Sequence, residues 1–328
     1  TGMTIHLGAA HDHNHDISFD IPQAELVYMG NSLTWKFDIY AVDPLSREFI
    51  FVDAGNGEIV GSHDQIHDVN VPATGPTLYD ANQSFTADFN ITEYRLRESA
   101  DAGVPSGAVE TYDMNEGTNY GAAVDFTSPT QNFGDPDHEV GNQTHWGTEQ
   151  TWDYFFTEHN RDSFDDLGTP LRSYVSYRSN YTNAFWNGSF MTYGDGNGTN
   201  RGPLVSLDIV GHEIAHGVTQ FTAGLIYQNH SGALNESFSD IFGEAVENHA
   251  RGTNDWLMGG DIGLNGNQGQ FRNMSNPNLH NDPDTYLGDY WYTGNGDNGG
   301  VHINSGVQNF WFYLMTVGGS GTNDTGYS

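Results

Sequence analysis

The 328-residue chain contains no cysteine and a single lysine, Lys36. Without cysteine there are no disulfides, no thiolate metal sites and no cysteine nucleophile. Calcium remains as a means of stapling a secreted chain. Basic residues are scarce altogether: 10 Lys and Arg stand against 43 Asp and Glu, a formal charge of −33. A field of that sign repels phosphate backbones, which excludes a nucleic-acid partner, and it disfavours anionic membrane surfaces. Long apolar runs are missing too. The longest, Phe310–Val317, is far shorter than the ~20 residues of a membrane span. No basic segment followed by an apolar one opens the chain, and its first residue is Thr1. We read it as a piece of a longer product, with an acidic balance that suits a saline habitat.

Apolar side chains are present in quantity: 36% of residues are hydrophobic and 13% aromatic, too many for a disordered acidic tail. The length accommodates one large domain or two to three modest ones. Residues 1–24 are polar, with a cluster of His11, His13 and His15 whose spacing fixes no metal geometry. Leu26–Tyr28, Trp35–Tyr40 and Glu48–Val52 read as strands, and Asn56-Gly57 as a hairpin turn, which predicts a small antiparallel unit. A polar stretch with Pro72 and Pro76 marks a boundary near residues 67–76. Short β-type runs follow to residue 206, among them Ala122–Phe126, Leu171–Tyr177 and Phe190–Tyr193, with one helical pattern at about 145–159. Thereafter the period is helical, at about 208–222, 234–250 and 305–317.

The strongest chemical signal is His212-Glu213-Ile214-Ala215-His216. Residues four apart on a helix lie nearly one above the other, so both imidazoles reach one zinc ion. Glu213 is offset by about 100° and reaches a water on the metal rather than the metal itself. A third ligand leaves the fourth position open for that water. Glu236, twenty residues beyond His216 in a second helical stretch, fills that role, and Asp240 on the same face can accept the outer N–H of a ligating histidine. The bland alternative for both acids is a solvated helix face, which the neighbouring Ile241 and Phe242 oppose.

The runs Asp208–Thr219, Thr222–Asn229 and Ser231–Glu236 closely resemble the thermolysin-like zinc metalloendopeptidases. The likeness extends to Asn183–Gly188, Tyr193–Gly196 and Asp297–Gly306, and covers roughly residues 75–320. It implies an α+β fold in two lobes, β-rich over 68–206 and α-helical over 207–328. In such enzymes His212, His216 and Glu236 would hold zinc and Glu213 would be the general base. Tyr227 and His302 match the groups that hydrogen-bond the developing oxyanion, and Asp297 the carboxylate that orients the histidine. Asn183 and the Ala184 carbonyl match the groups that hold substrate backbone and new amine, and Arg272 the one that binds a substrate carbonyl. Leu204, Ile209, Met258 and Phe271 fall where the family lines an apolar pocket, implying cleavage before Leu, Phe or similar residues, with Phe271 narrowing it.

Calcium is the second ion the resemblance implies, with Asp208, Glu244, Glu247, Asp255 and the Leu257 carbonyl as ligands. Leu257 and Gly260 stand where members with a double site have acids, so at least one ion is expected without the second of that pair. Asp135, Asp137 and Glu139 form a further acidic loop that matches nothing closely. Residues 25–66, especially Phe51–Val60, resemble the PepSY-type end of the propeptide that assists folding and inhibits these enzymes, so residues 1–67 are expected to be a small antiparallel α+β propeptide remnant with its linker. Only 26 residues follow His302, so the helical lobe is expected to be incomplete, and Gly306–Val317, apolar almost all round, to need cover on more than one side. The sequons at Asn82, Asn90, Asn142, Asn187 and Asn235 are by-products of an Asn-rich composition. The expectation is a secreted, monomeric zinc endopeptidase acting on proteins or peptides. The alternative is a non-catalytic metal-bound module or an inhibited pro-form.

Overall fold

The computed structural model describes residues 24–30, 32–42, 45–64, 69–90, 92–99 and 108–319, so the histidine cluster at 11–15 lies outside the described residues. Two units emerge from the packing: residues 1–69 with 90–92, and residues 70–89 with 93–328. In the first, β1 (Ala24–Met29), β2 (Ser32–Val42), β3 (Leu45–Asp53) and β4 (Ile59–Asp64) form an antiparallel meander in sequence order. The alternation of Trp35, Phe37 and Ile39 sets its register, pairing Trp35 with Val52 and Phe37 with Ile50. At the β3–β4 turn Asp53 Oδ1 accepts from the N–H groups of Gly55 and Asn56, and Gly57 takes a φ of 75°. Among its described residues this unit is strand throughout, without the helix that an α+β remnant would contain.

The second unit opens inside β5 (Val69–Pro76), at residue 70, and continues with β6 (Asn82–Phe89), β7 (Tyr94–Arg95), β8 (Arg97–Glu98), β9 (Val109–Asp113), β10 (Val124–Asp125) and β11 (Thr127–Ser128). The long helix α1 (Glu139–His159) follows, then β12 (Leu171–Val175), β13 (Ala184–Trp186) and β14 (Met191–Tyr193). They make two sheets, β11-β7-β6-β5 and β10-β9-β12-β14-β13 with β8 beside β9, and α1 packs on β6, β9 and β12. One hydrophobic cluster runs from Ala73 through Leu171 and Met191 to Val210 and Ile262, joining strands and helices. This is the β-rich lobe. α1 starts six residues before the pattern predicts, because Asp135 caps a short 3-10 turn over 136–138 that runs straight into it.

The helical lobe holds α2 (Leu207–Phe221), α3 (Asn229–Arg251), the hairpin β15 (Leu257–Met258) with β16 (Arg272–Asn273), α4 (Asp297–Asn304) and α5 (Gly306–Val317). The pattern predicts a helix from about 234, yet α3 begins at 229. Gly232 is there for close approach: a Cβ on it would lie 2.4 Å from Val301 Cγ1. α4 escaped the periodicity because Asp297, Asn298, Gly299 and Gly300 all have positive φ, between 48° and 90°. Trp311, Met315 and Val317 of α5 are exposed and only Gly306 and Asn309 are buried, so the helix stands without the cover its composition calls for.

Candidate metal centre and active-site cleft

Two glycines set the spacing of the helices that carry the chemistry. A Cβ on Gly211 would sit 3.1 Å from Gly243 Cα, and one on Gly243 would sit 2.4 Å from the Asp208 carbonyl. α2 and α3 therefore touch backbone to backbone. That contact brings His212 and His216 of α2 against Asn235, Glu236, Ser239 and Asp240 of α3.

His212 Nδ1 lies 2.9 Å from Asp240 Oδ1, and His216 Nδ1 lies 2.8 Å from Asn235 Oδ1 and 3.0 Å from Ser239 Oγ. With the outer nitrogens so engaged, the two Nε2 atoms face each other at 3.0 Å. Glu236 is fully buried and points the same way: Oε2 is 3.5 Å from His212 Nε2, and Oε1 is 3.4 Å from His216 Nε2. Among the described residues Oε2 has no hydrogen bond, and the nearest guanidinium nitrogen, Arg272 Nη2, stands 3.8 Å away. Two nitrogen lone pairs and a bare carboxylate oxygen converging in the interior are unfavourable by themselves and complementary to a divalent cation. Two imidazoles and one carboxylate fit zinc with a fourth position left open. The electrostatics agree. Burial alone would lower His216, but the charges of Glu236 and Glu213 raise it to about 9, so a proton and a cation compete for the same place. Burial would raise Glu236, yet the three histidines hold it well below the usual carboxylate range.

Across the cleft, Tyr227 hydroxyl contacts Glu236 Oε1 and lies 3.1 Å from His302 Nε2. Burial and the Glu236 charge push the phenol far up, so it keeps its proton. Asp297 binds His302 twice, at Nδ1 (2.5 Å) and at the backbone N–H (2.9 Å). The left-handed run from Asp297 to Gly300 makes this possible. A side chain at Gly299 would collide with Asn229 Oδ1 at 2.2 Å, so the turn is held by α3.

These groups open on a cleft of about 1010 Å³, which is also lined by Glu213, Asn183, Ala184, Leu204, Ile209, Met258, Phe271 and Arg272. Phe271 is pinned there: Arg201 sits 4.0 Å above its ring, anchored by hydrogen bonds to the carbonyls of Gly269 (3.0 Å) and Gln270 (3.3 Å). Arg272 is held by Asp240, Nε to Oδ2 at 2.7 Å and Nη2 to Oδ1 at 2.5 Å, which leaves Nη1 without a hydrogen bond among the described residues. Burial would raise Asp240, but Arg272 and the His212 and Arg272 hydrogen bonds bring it down to about 2. The sequence reading missed Asn235 and Ser239 behind His216, and missed Asp282, which lines the cleft and is raised by burial to about 7. A polar residue immediately before the predicted ligand was the available signal for Asn235.

The carboxylates of Glu244, Glu247 and Asp255 gather within 4.8 Å of one another. Burial is the first cause of the upward shifts of Glu244 and Glu247, and Asp208 adds to both. Among the described residues Glu244 Oε1 is buried without a hydrogen-bond partner. These features fit a hard cation such as calcium. Asp208 does not belong to that group. Its Oδ1 accepts from Ser206 Oγ (2.5 Å) and Ile209 N–H (2.8 Å), and its Oδ2 from Gly259 N–H, which ties α2 to the β15 loop instead. Leu257 lies beside the group, its N–H donating to Asp255 Oδ1 at 2.8 Å. Arg251, also unforeseen, bonds Glu247, Asp80 and Asp261. The loop acid Asp135 is a helix cap, and among the described residues Asp135, Asp137 and Glu139 form no metal-binding group. Asn142 is buried, its amide donating to the carbonyls of Pro76 and Phe133, so that sequon is structural.

The model of the thermolysin metallopeptidase catalytic domain matches residues 72–220, and that of the thermolysin metallopeptidase alpha-helical domain matches residues 223–328. Bacillolysin of Brevibacillus brevis is 39% identical over 306 residues, covering 91% of this chain and 55% of that protein. Bacillolysin of Bacillus cereus is 49% identical over 178 residues, 54% of this chain and 31% of that protein. The chain thus spans about half or less of the length of these relatives. Among solved structures, the precursor of protealysin, a metalloproteinase from Serratia proteamaculans, matches with a TM-score of 0.55 and 34% identity over 66% of this chain and 70% of that one.

Proposed function

The chain belongs to the thermolysin metallopeptidase family, and from that premise we propose that it is a secreted zinc-dependent endopeptidase. The observation that carries this reading is the convergence of His212 Nε2, His216 Nε2 and the unpartnered Glu236 Oε2 at the floor of a cleft with Tyr227 and His302 at its wall. Zinc bound there would polarise a carbonyl and acidify a coordinated water. Glu213, next to His212 and lining the cleft, takes the proton of the attacking water and passes it to the leaving amine. Tyr227 and His302 donate to the oxygen that gains charge, and Asp297 orients the histidine ring. Arg272 Nη1 and Asn183 position the peptide, while the Ala184 carbonyl accepts from the new amine. Leu204, Ile209, Met258 and Phe271 favour an apolar residue after the scissile bond. Equal turnover of peptides with Leu or Asp at that place would refute the preference.

The test of the central reading is zinc content and peptide cleavage of the purified chain beside Glu213→Gln. One zinc per chain in both proteins, with kcat lower by about 10²–10⁴ in the variant, is expected. A folded chain without zinc would overturn it. Calcium at Glu244, Glu247 and Asp255 is the second ion of this reading.

Two observations favour a further reading of the chain as a pro-form: the four-stranded first unit and the likeness to a precursor. We infer that residues 1–67 are a propeptide remnant that assists folding and inhibits the catalytic unit, with processing near residues 67–76. The N-terminus of the secreted active enzyme checks this, and a start before residue 60 would exclude it.

A further inference from the structure

Asn309 is an amide in the middle of the apolar helix α5, and it is 1% exposed. Its partners account for it. Nδ2 donates to Asp240 Oδ2 at 2.7 Å, and Oδ1 accepts from Ser237 Oγ at 2.6 Å. One donor contact and one acceptor contact fix which way the amide faces.

The bond to Asp240 completes a set. Oδ1 of Asp240 faces His212 Nδ1 and Arg272 Nη2, and Oδ2 faces Arg272 Nε and Asn309 Nδ2. An ionised carboxylate has about four lone-pair sites, so four donors from α2, β16 and α5 saturate it. A carboxylate filled in this way cannot pivot. It holds the Nδ1–H tautomer of His212, which turns the Nε2 lone pair inward. Arg272 balances the charge of Asp240, while the neutral Asn309 contributes geometry alone.

We propose that Asn309 is a positioning residue for the metal centre, locking Asp240 with the help of Ser237 and so aiming His212 Nε2. This rests on the reading of His212, His216 and Glu236 as the zinc ligands. Partners one bond behind a ligand are worth 10–100-fold in metal affinity, and Asn309, one bond further back, belongs at the low end. The experiment is a chelator-competition titration of zinc on the full chain, with the melting temperature of the zinc-free protein measured alongside. Asn309→Leu, which keeps the branching at Cγ and removes both bonds, is expected to bind zinc about 10-fold more weakly. Ser237→Ala, which frees the amide to turn, is expected to show a smaller loss in the same direction. Wild-type affinity in folded Asn309→Leu overturns the proposal, even if its melting temperature falls. If Asn309→Leu does not fold, wild-type affinity in Ser237→Ala overturns it instead. Glu236→Gln is the control. Should that variant keep wild-type affinity, the ligand reading fails and the proposal falls with it. If Glu236→Gln alone weakens binding, only the role of Asn309 is refuted.

Discussion

His145 on α1 and His212 on α2 are both buried histidines on helices that pack together, and they are used in opposite ways. His145 spends both ring nitrogens on the protein: Nε2–H donates to the Thr86 carbonyl at 2.8 Å, and Nδ1 accepts from Thr111 Oγ1 at 3.0 Å. Around it Thr144, Thr148, Thr151 and Gln143 are likewise buried and hydrogen-bonded. This network is closed. His212 and His216 commit only Nδ1 to the α3 side chains and leave Nε2 turned toward Glu236, whose Oε2 takes no hydrogen bond among the described residues. That network is open. Burial alone distinguishes nothing here. What separates a structural histidine from a ligand is the nitrogen left over.

Opening or closing each network tests the distinction. The largest effect is expected at the open one. A zinc site of four ligands supplies about 10–16 kcal/mol, so the share of one ligand is about 3–4 kcal/mol, or roughly 10²–10³-fold in affinity. His216→Ala should therefore lose zinc and peptidase activity together while its metal-free fold survives. A variant that binds zinc normally would place the ligands elsewhere. The acidic group at Glu244, Glu247 and Asp255 is open as well, since Glu244 Oε1 lacks a partner. Removal of calcium by EGTA should cost about 2.7 kcal/mol relative to a calcium level near 100 times its Kd. An unchanged melting temperature would remove calcium from the account.

The smallest effect belongs to the closed network. His145→Leu leaves the Thr86 carbonyl unpaired and should cost about 2 kcal/mol without altering zinc stoichiometry. It also tests a pH dependence. Burial lowers His145 to about 4, while the unfolded chain binds the proton near 6.5. The unfolded state thus holds more protons in that window, and stability falls as pH drops from about 6.5 toward 4, by about 3 kcal/mol in all. That component should vanish in the leucine variant. Denaturant melts of both proteins at pH 7 and pH 4.5 measure it, and parallel losses would contradict the assignment.

Legibility in the sequence followed the same divide. The fourfold spacing of His212 and His216, and Glu236 with Asp240 on one face beyond them, are local patterns that a helix translates directly into geometry. The groups that complete the site are brought in by tertiary packing: Asn309 from α5, Arg251 linking three acids, and Arg201 over Phe271. No period announces them, although an asparagine inside an apolar helix is a visible anomaly at position 309. The helical pattern at 145–159 does not show that Gly141 through Thr148 are all buried, most of them polar, because β6, β9, β12, α2 and α3 all pack on α1. α4 was hidden by Asn298-Gly299-Gly300, which reads as loop and folds as a left-handed entry to His302.

The contact between Gly211 and Gly243 bears on how this protein would answer to random mutation. Neither residue carries a reactive group, yet any side chain on Gly243 meets the Asp208 carbonyl and must drive α2 from α3, taking the histidines from Glu236. A screen scored on activity would rank Gly243 beside Glu213. A screen scored on folding would part them, since Glu213 would pass and Gly243 would not. Positions that rank high in both screens would map the spacing of the two helices, and those high only in the first would map the chemistry.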